Sequence, residues 1–236
     1  MTLIIDAPVP ASVPAMATVD LYLDIHKGIR ADLFSVTGRA GSLDPADAAG
    51  RAALAEAVRW SVDLLVSHAE HEDTVVQPVL EVERPDLAEV IATDHHGLEP
   101  RMDGLVALAD AAADVAGAEA RSWLHALYLD LALFTGDYLR HQDTEERVVM
   151  PALEAAIGPD AVRALEGAII SSIPPDEMAA SLAVMLPAMN LDDRAGLLGG
   201  MQAGAPADVF AGVWALVGSV LDPADHERLG ERLGLA

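Results

Sequence analysis

One histidine–carboxylate pattern occurs twice in this chain of 236 residues. Residues 68–81 read HAEHEDTVVQPVLE and residues 141–154 read HQDTEERVVMPALE, so that seven positions carry the same residue in both copies. In each copy a glutamate follows a histidine by four residues, which puts both side chains on one face of a helix. Burying such a pair is unfavourable unless something compensates for it, and a metal ion would do so.

Two further histidines extend this repeat. Aligning IHKGI at residues 25–29 with DHHGL at residues 94–98 places His26 over His95. Periodicity also favours His95 over its neighbour His96, because His95 lies on the apolar face of the predicted helix. The chain therefore contains a histidine helix followed by a His-x-x-x-Glu helix, and it contains this unit twice.

A duplicated helical hairpin, packed about a pseudo-twofold axis, would bring four histidines and two glutamates to one centre. Two symmetric halves naturally hold two metal ions, and carboxylates are able to bridge them. The sequence has no cysteine, so any metal must be held by nitrogen and oxygen ligands. Imidazole and carboxylate together suit iron, manganese or zinc.

Apolar spacing predicts four helices that position these residues. They begin near Thr18, near Asp44-Pro45, before Leu87 and near Glu119, and Gly158 ends the last one. Their short connections favour an all-α fold, an up-down-up-down four-helix bundle over residues 17–158.

The two ends of the chain differ from this bundle in composition. Residues 1–16 contain three prolines without a helical period, which predicts a flexible arm. Residues 159–236 contain short helical stretches separated by proline and glycine, which predicts a helical extension that packs on the bundle or on a partner subunit. The apolar segment VFAGVWALVGSVL in this extension predicts a contact with the bundle, with a second copy in a homodimer, or with another protein.

The acidic composition limits the classes of partner. A formal net charge of −24 repels nucleic acid and anionic lipid, so neither is expected to bind. No apolar run approaches the roughly 20 residues of a membrane span, and the first residues lack the pattern of a signal peptide. The sequence therefore predicts a soluble cytoplasmic protein without a membrane partner.

The order H…HxxxE…H…HxxxE, with a proline after each pair in EDTVVQP and EERVVMP, resembles the hemerythrin-like (HHE cation-binding) family. The resemblance covers about residues 18–157. It implies a centre of two iron ions with an oxo or hydroxo bridge, in which manganese or zinc could substitute. Carried over by position, with the glutamates bridging, the ligands would be His26, His68, Glu72, His95, His141 and Glu145.

The chain also departs from one pattern in this family. Oxygen-carrying hemerythrins use five histidines, whereas four are in register here, which argues against simple reversible oxygen carriage. Water could supply a further ligand. The side chains that could ligate a metal, or contact the ligands, are His71, His96, Glu99, Tyr22 and Tyr138.

Periodicity separates these candidates from simpler roles. His71 and His96 are each turned from the inward face, and Thr144 stands at the position of His71 in the second copy. Acidic residues on helices are mostly solvated. The acids near the two pairs are therefore predicted to form a solvated face that could tune the site: Glu70, Asp73, Asp143 and Glu146.

The resemblance implies reaction with dioxygen, nitric oxide or peroxide, and three functions fit it. The first is binding or sensing of such a molecule, with the extension passing the signal to a partner. The second is a catalase- or peroxidase-like enzyme of oxidative-stress defence, and the third is iron sensing or iron-centre repair. Binding or sensing is favoured because no acid or base beyond the ligands stands out, which leaves enzymatic activity open.

Overall fold

The computed structural model describes residues 17–235, in which short turns connect helices and no strand occurs, so the predicted all-α class is confirmed. The predicted arm at residues 1–16 lies outside the described residues. Two π-helical turns, Glu72–Val76 and Glu145–Val149, join α2 to α3 and α5 to α6. The helices are α1 (Leu23–Ser42), α2 (Ala48–His71), α3 (Gln77–Glu83), α4 (Pro85–Asp114), α5 (Gly117–Thr144), α6 (Met150–Ile157), α7 (Pro159–Ser172), α8 (Pro175–Ala188), α9 (Leu191–Gly204), α10 (Ala207–Val220) and α11 (Pro223–Leu233).

The structure moves the predicted start of α1. The helix begins at Leu23 rather than near Thr18. The carboxylate of Asp20 accepts hydrogen bonds from the backbone N–H groups of Tyr22, at 3.0 Å, and Leu23, at 3.2 Å. A short acidic side chain that satisfies these free donors favours a helix start at this point.

The predicted start of α2 is also too early. The helix begins at Ala48, and its N-cap is Asp47, whose carboxylate accepts from the backbone N–H of Gly50 at 2.9 Å. Asp44 holds the preceding turn instead, accepting from the N–H of Ala46. The segment DPAD offers two aspartates that could cap a helix, and its sequence alone does not decide between them.

Two apolar clusters lie on either side of the candidate ligands along the four long helices. The larger cluster is shared by α1, α2, α4 and α5, and its members nearest the site are Ile29, Leu65, Leu98 and Tyr138. The smaller cluster also involves α3, α6 and α7, and its corresponding members are Tyr22, Val76, Ile91 and Val149. On each long helix the candidate ligands lie in sequence between these two clusters. The chain passes from the smaller cluster to the larger one in α1 and α4, and the opposite way in α2 and α5.

Both π turns begin at a candidate glutamate and end two residues before a proline. The first closes with a hydrogen bond from the N–H of Gln77 to the carbonyl of Glu72, five residues earlier, and the second repeats this geometry. Pro78 and Pro151 lack an N–H, and in a regular α-helix their rings would meet the carbonyl four residues earlier. A wider turn relieves this clash, so the predicted uninterrupted helices are each widened at the same repeat position.

The extension forms a third apolar cluster and docks on the long helices. Helix α8 packs on α1, and α7 contacts α6 and the first π turn. Helix α10 packs on α8, α9 and α11, so its apolar segment helps to form the core of the extension itself. Within the described part of the chain, no single helix is long and apolar enough to cross a membrane; α7 and α8, bent by 115° at their junction, reach that length and composition only as a pair.

Gly28 and Gly97 occupy matching positions in the repeat but have different surroundings. A Cβ atom on Gly28 would lie 3.1 Å from Val184 and 3.2 Å from the backbone of Met185 in α8, whereas one on Gly97 would meet nothing within 4 Å. We expect Gly28→Ala to push α8 from α1 and to lower the free energy of unfolding by about 1–3 kcal/mol. Gly97→Ala should raise it by up to about 1 kcal/mol, because alanine favours a helix. Thermal unfolding of both variants, together with proteolysis of the extension, tests this difference; equal behaviour would contradict it.

Candidate metal centre

The six predicted ligands meet between the two apolar clusters. One group of donor atoms, all within 4.8 Å of one another, comes from Glu72, His95, His141 and Glu145. A second group, defined in the same way, comes from His26, His68 and Glu72. Because Glu72 belongs to both groups, the two donor sets lie next to each other and share the carboxylate of this residue.

The first half of the centre contains two histidines from the first copy of the repeat. The Nε2 atoms of His26 and His68 lie 3.1 Å apart. Nε2 of His68 lies 3.1 Å from Oε1 of Glu72, and Nε2 of His26 lies 3.4 Å from Oε2 of Glu145. This half therefore has two nitrogen donors and an oxygen of Glu72 within 4.8 Å of one another, and an oxygen of Glu145 lies beside His26.

The second half repeats the first with the other two histidines. Nε2 of His95 lies 3.4 Å from Oε2 of Glu72, and Nε2 of His141 lies 3.3 Å from Oε1 of Glu145. The two imidazole rings cross edge to face, as the rings of the first half do. Each glutamate thus directs one oxygen at each half, so that both carboxylates are shared between the halves.

The spacing and pairing of these atoms fit bound metal ions. Ligand atoms held at about 2.1 Å from a metal, at angles between about 90° and 109°, lie about 3.0–3.4 Å apart. In this structure, one pair of histidine nitrogens and four neighbouring histidine–glutamate atom pairs lie 3.1 to 3.4 Å apart. All four carboxylate oxygens of Glu72 and Glu145 are buried without a hydrogen-bond partner. Buried carboxylates of this kind need a counter-charge, and cations between them would supply it.

Burial controls the protonation of the centre. It lowers the pKa of His68 to about 4 and that of His141 to about 3, so that both rings are neutral ligands at neutral pH. It raises the pKa of Glu145 well above its ordinary value, and the neighbouring charge of Glu72 adds to this shift. Burial opposes ionisation of Glu72 as well, but the surrounding histidines outweigh it and lower its pKa. The raised pKa of Glu145 opposes metal binding, because a ligating carboxylate must be deprotonated.

Carboxylates outside the centre orient two of the histidines across the repeat. Nδ1 of His26 lies 3.0 Å from Oε1 of Glu146, and Nδ1 of His95 lies 2.9 Å from Oδ1 of Asp73. A proton on Nδ1 that is donated to a carboxylate leaves Nε2 as a bare lone pair for a metal. Asp73 follows Glu72 and Glu146 follows Glu145, and each of these carboxylates therefore holds a histidine of the other repeat copy. Arg30 further anchors Glu146 at 2.6 Å.

This finding corrects the prediction of a uniformly solvated acidic face. Glu70 and Asp143 are exposed as expected, but Glu146 is partly buried and pairs with His26. Asp73 keeps about half of its side chain exposed, 53 %, and still pairs with His95. In the sequence, this role is indicated by the acidic residue that directly follows Glu72 in one copy and Glu145 in the other.

We expect the loss of either carboxylate to weaken metal binding without abolishing it. Glu146→Ala and Asp73→Ala should each lower metal affinity by about 10- to 100-fold, because the histidine ring loses its fixed orientation. Competition with a chromophoric chelator measures the change. The matched controls are Glu70→Ala and Asp143→Ala, which change exposed acidic residues at equivalent positions of the two copies. Equal affinities in all four variants would contradict the assignment.

The two tyrosines flank the centre, one on each side. Tyr22 is 3 % exposed and stacks on His26, with ring centroids 5.0 Å apart. Tyr138 is 2 % exposed and meets His141 edge to face at 5.5 Å. Burial raises the pKa of both phenols well above the ordinary value, so they are neutral beside the ligands.

The other three candidates lie outside both donor groups. His71 turns to the extension, where its Nε2 lies 2.7 Å from Oε1 of Glu177 in α8 and its Nδ1 lies 3.2 Å from the hydroxyl of Ser172. His96 and Glu99 are exposed and line a cavity of about 430 Å³ that reaches His95 and Tyr138. This cavity connects the second half of the centre to the surface.

A helical core that brings four histidines and two buried glutamates together is typical of carboxylate–histidine metal sites in helical proteins. The comparison with known families gives the same result. The chain belongs to the hemerythrin family, because the model of the Hemerythrin HHE cation binding domain matches residues 17–153, more than half of the 236 residues. No curated protein and no solved structure matches the chain.

Proposed function

We propose that this protein holds two iron ions and uses them to bind or sense dioxygen, nitric oxide or peroxide. The observation that carries the proposal is that Glu72 and Glu145 each direct one oxygen at each pair of histidines. Two imidazoles, carboxylate oxygen and open coordination positions are typical of non-haem iron sites. When bound, a pair of ferrous ions supplies electrons to such small oxygen and nitrogen species.

The order of the helices supports a hemerythrin-type bundle around these ions. The chain crosses from the smaller apolar cluster to the larger in α1 and α4, and returns in α2 and α5. This alternation is what an up-down-up-down bundle requires. The histidines of α1 and α4 then face the His-x-x-x-Glu pairs of α2 and α5 at the same depth.

The chain's own residues divide the work at the centre. Asp73 and Glu146 fix the proton on Nδ1 of their histidines, which leaves Nε2 as the donor. The apolar clusters on both sides limit water, while the cavity beside His95 admits a small reactant from the surface. The four histidines and the two glutamates would hold the metal ions, and solvent or a small reactant would complete their coordination.

Metal analysis with an ultraviolet–visible spectrum, recorded before and after addition of peroxide, tests this proposal. We expect two irons per chain and a charge-transfer band that changes when the ferrous protein meets dioxygen, nitric oxide or peroxide. Rapid oxygen evolution from peroxide would assign the protein to the catalase-like alternative. Loss of the fold on iron removal, with no spectral response to any of these molecules, would favour iron sensing and contradict the proposal.

A further inference from the structure

A second cavity, of about 210 Å³, lies where the extension meets α1 and α2. On the extension side its wall is formed by apolar side chains of α7, α8 and α9, among them Ile169, Met185 and Met201. On the opposite side the wall includes His68 and Glu72, two of the candidate ligands. The cavity therefore touches the first half of the metal centre.

The extension makes the two halves of the centre unequal. Both halves contain two histidines and Glu72, but the second half faces the cavity beside His95, whereas the first half faces the cavity roofed by α7 to α9. The family match ends at residue 153 and α7 begins at Pro159. The roof is thus a feature of this chain that lies beyond the matched family domain.

The size and lining of this cavity suit a small apolar body. An apolar cavity of roughly 150 Å³ holds a benzene ring, so 210 Å³ has room for a ring with a short substituent. Isoleucine and leucine give the wall its apolar character. Methionines such as Met178 and Met185 can adapt to the shape of a ligand, because their side chains are flexible and polarisable.

The charges around the cavity select the polar end of a ligand. Within residues 17–235, the ionisable side chains that line it are carboxylates, one tyrosine and two histidines, and no lysine or arginine is among them. Asp24 and Glu166 line this cavity, and Lys27, whose charge acts on Asp24, is paired with Asp193. These surroundings disfavour an anion and favour a cationic hydrogen-bond donor.

We propose that this cavity binds a small aromatic amine, with its ring against the apolar wall of the extension and its ammonium group beside Asp24 and Glu166. The bound molecule would lie directly against the His68 side of the metal centre. The binding does not rest on the proposed gas or peroxide chemistry, because it uses neither the electrons nor the open positions of the metals.

Three probes of similar shape test the proposal on the full-length protein loaded with zinc, which is redox-inactive. Nuclear magnetic resonance titrations with benzylamine, toluene and benzoate measure their affinities. We expect saturable binding of benzylamine, binding of toluene that is weaker by about tenfold or more, and no binding of benzoate. Equal affinities for the three probes, or no saturable binding of benzylamine, would overturn the proposal.

Paired variants locate the bound probe. Ser181→Phe fills the cavity and should remove binding of benzylamine and toluene, whereas Ser171→Phe, at an exposed position outside the cavity, should not. Asp24→Asn should weaken benzylamine about tenfold and leave toluene unchanged. Asp32→Asn, eight residues further along α1, is its control. Binding that survives Ser181→Phe in a folded protein would contradict the location, and if that variant does not fold, the two aspartate variants decide.

Discussion

Glu72→Ala is expected to remove most of the metal from both halves of the centre, although it deletes a single side chain. The reason is that Oε1 of Glu72 faces His68 while Oε2 faces His95. Each half would lose an oxygen donor, and both metal ions would lose the negative charge of Glu72 that they share. Metal content after purification, measured per chain, would fall from two ions to fewer than one.

A histidine variant provides the comparison that makes this prediction specific. His68→Ala removes a donor from the first half only, so we expect about one ion per chain to remain. Glu99→Ala, on the exposed surface near His95, should retain both ions. If Glu72→Ala and His68→Ala lost the same amount of metal, Glu72 would not be a bridging ligand.

Removal of the metals by a chelator is expected to lower Tm by about 10 °C or more. Binding at free metal about a thousandfold above Kd stabilises a fold by about 4 kcal/mol per site, and in a chain of this size each kcal/mol moves Tm by about 2–4 °C. Without metal, the buried charge of Glu72 loses its compensating cation, and Glu145, whose pKa is raised, favours a proton in place of a metal ion. Thermal unfolding with and without metal measures the difference.

Glu145→Gln separates this metal effect from ordinary damage to the core. Burial and the charge of Glu72 raise the pKa of Glu145, which favours a proton on this carboxyl in the metal-free protein, and a protonated carboxyl resembles a neutral amide. We expect the variant to unfold within about 2 °C of the metal-free parent and to gain almost nothing from added metal. A variant that unfolds far below the metal-free parent, or that is stabilised by metal as strongly as the parent, would refute this account.

The sequence predicts the donor set because the information is local and repeated. His68 and Glu72 share a helix face by their spacing, and His141 and Glu145 repeat it, so these candidate donors follow from spacing, while the full ligand set is what the resemblance to the family implies. The same comparison excludes His71, which has no counterpart in the second copy. In the structure His71 pairs with Glu177 of the extension and holds α8 against α2.

Other features depend on packing between helices, which the repeat does not specify. Asp73 pairs with His95 and Glu146 with His26, so each carboxylate serves the opposite copy, and this becomes visible only when the two hairpins are packed. The cavity against α7 to α9 depends on where the extension docks. Gly28 permits that docking, while the equivalent Gly97 faces open space.

The π turns are predicted from the sequence only in part. Proline at the same position of both copies marks the places where the helices widen, but periodicity alone predicts a regular helix through each. Eight residues of regular α-helix would rotate Leu80 about 80° away from Glu72. The widened turn takes up part of this rotation and keeps both side chains buried.

Anaerobic titration of the metal-free, full-length protein with ferrous iron tests the central claim most directly. The account predicts saturation at two irons per chain, with His68→Ala saturating at one and Glu72→Ala binding neither tightly. Saturation of the parent protein below one iron per chain, together with an unchanged curve for His68→Ala, would contradict it.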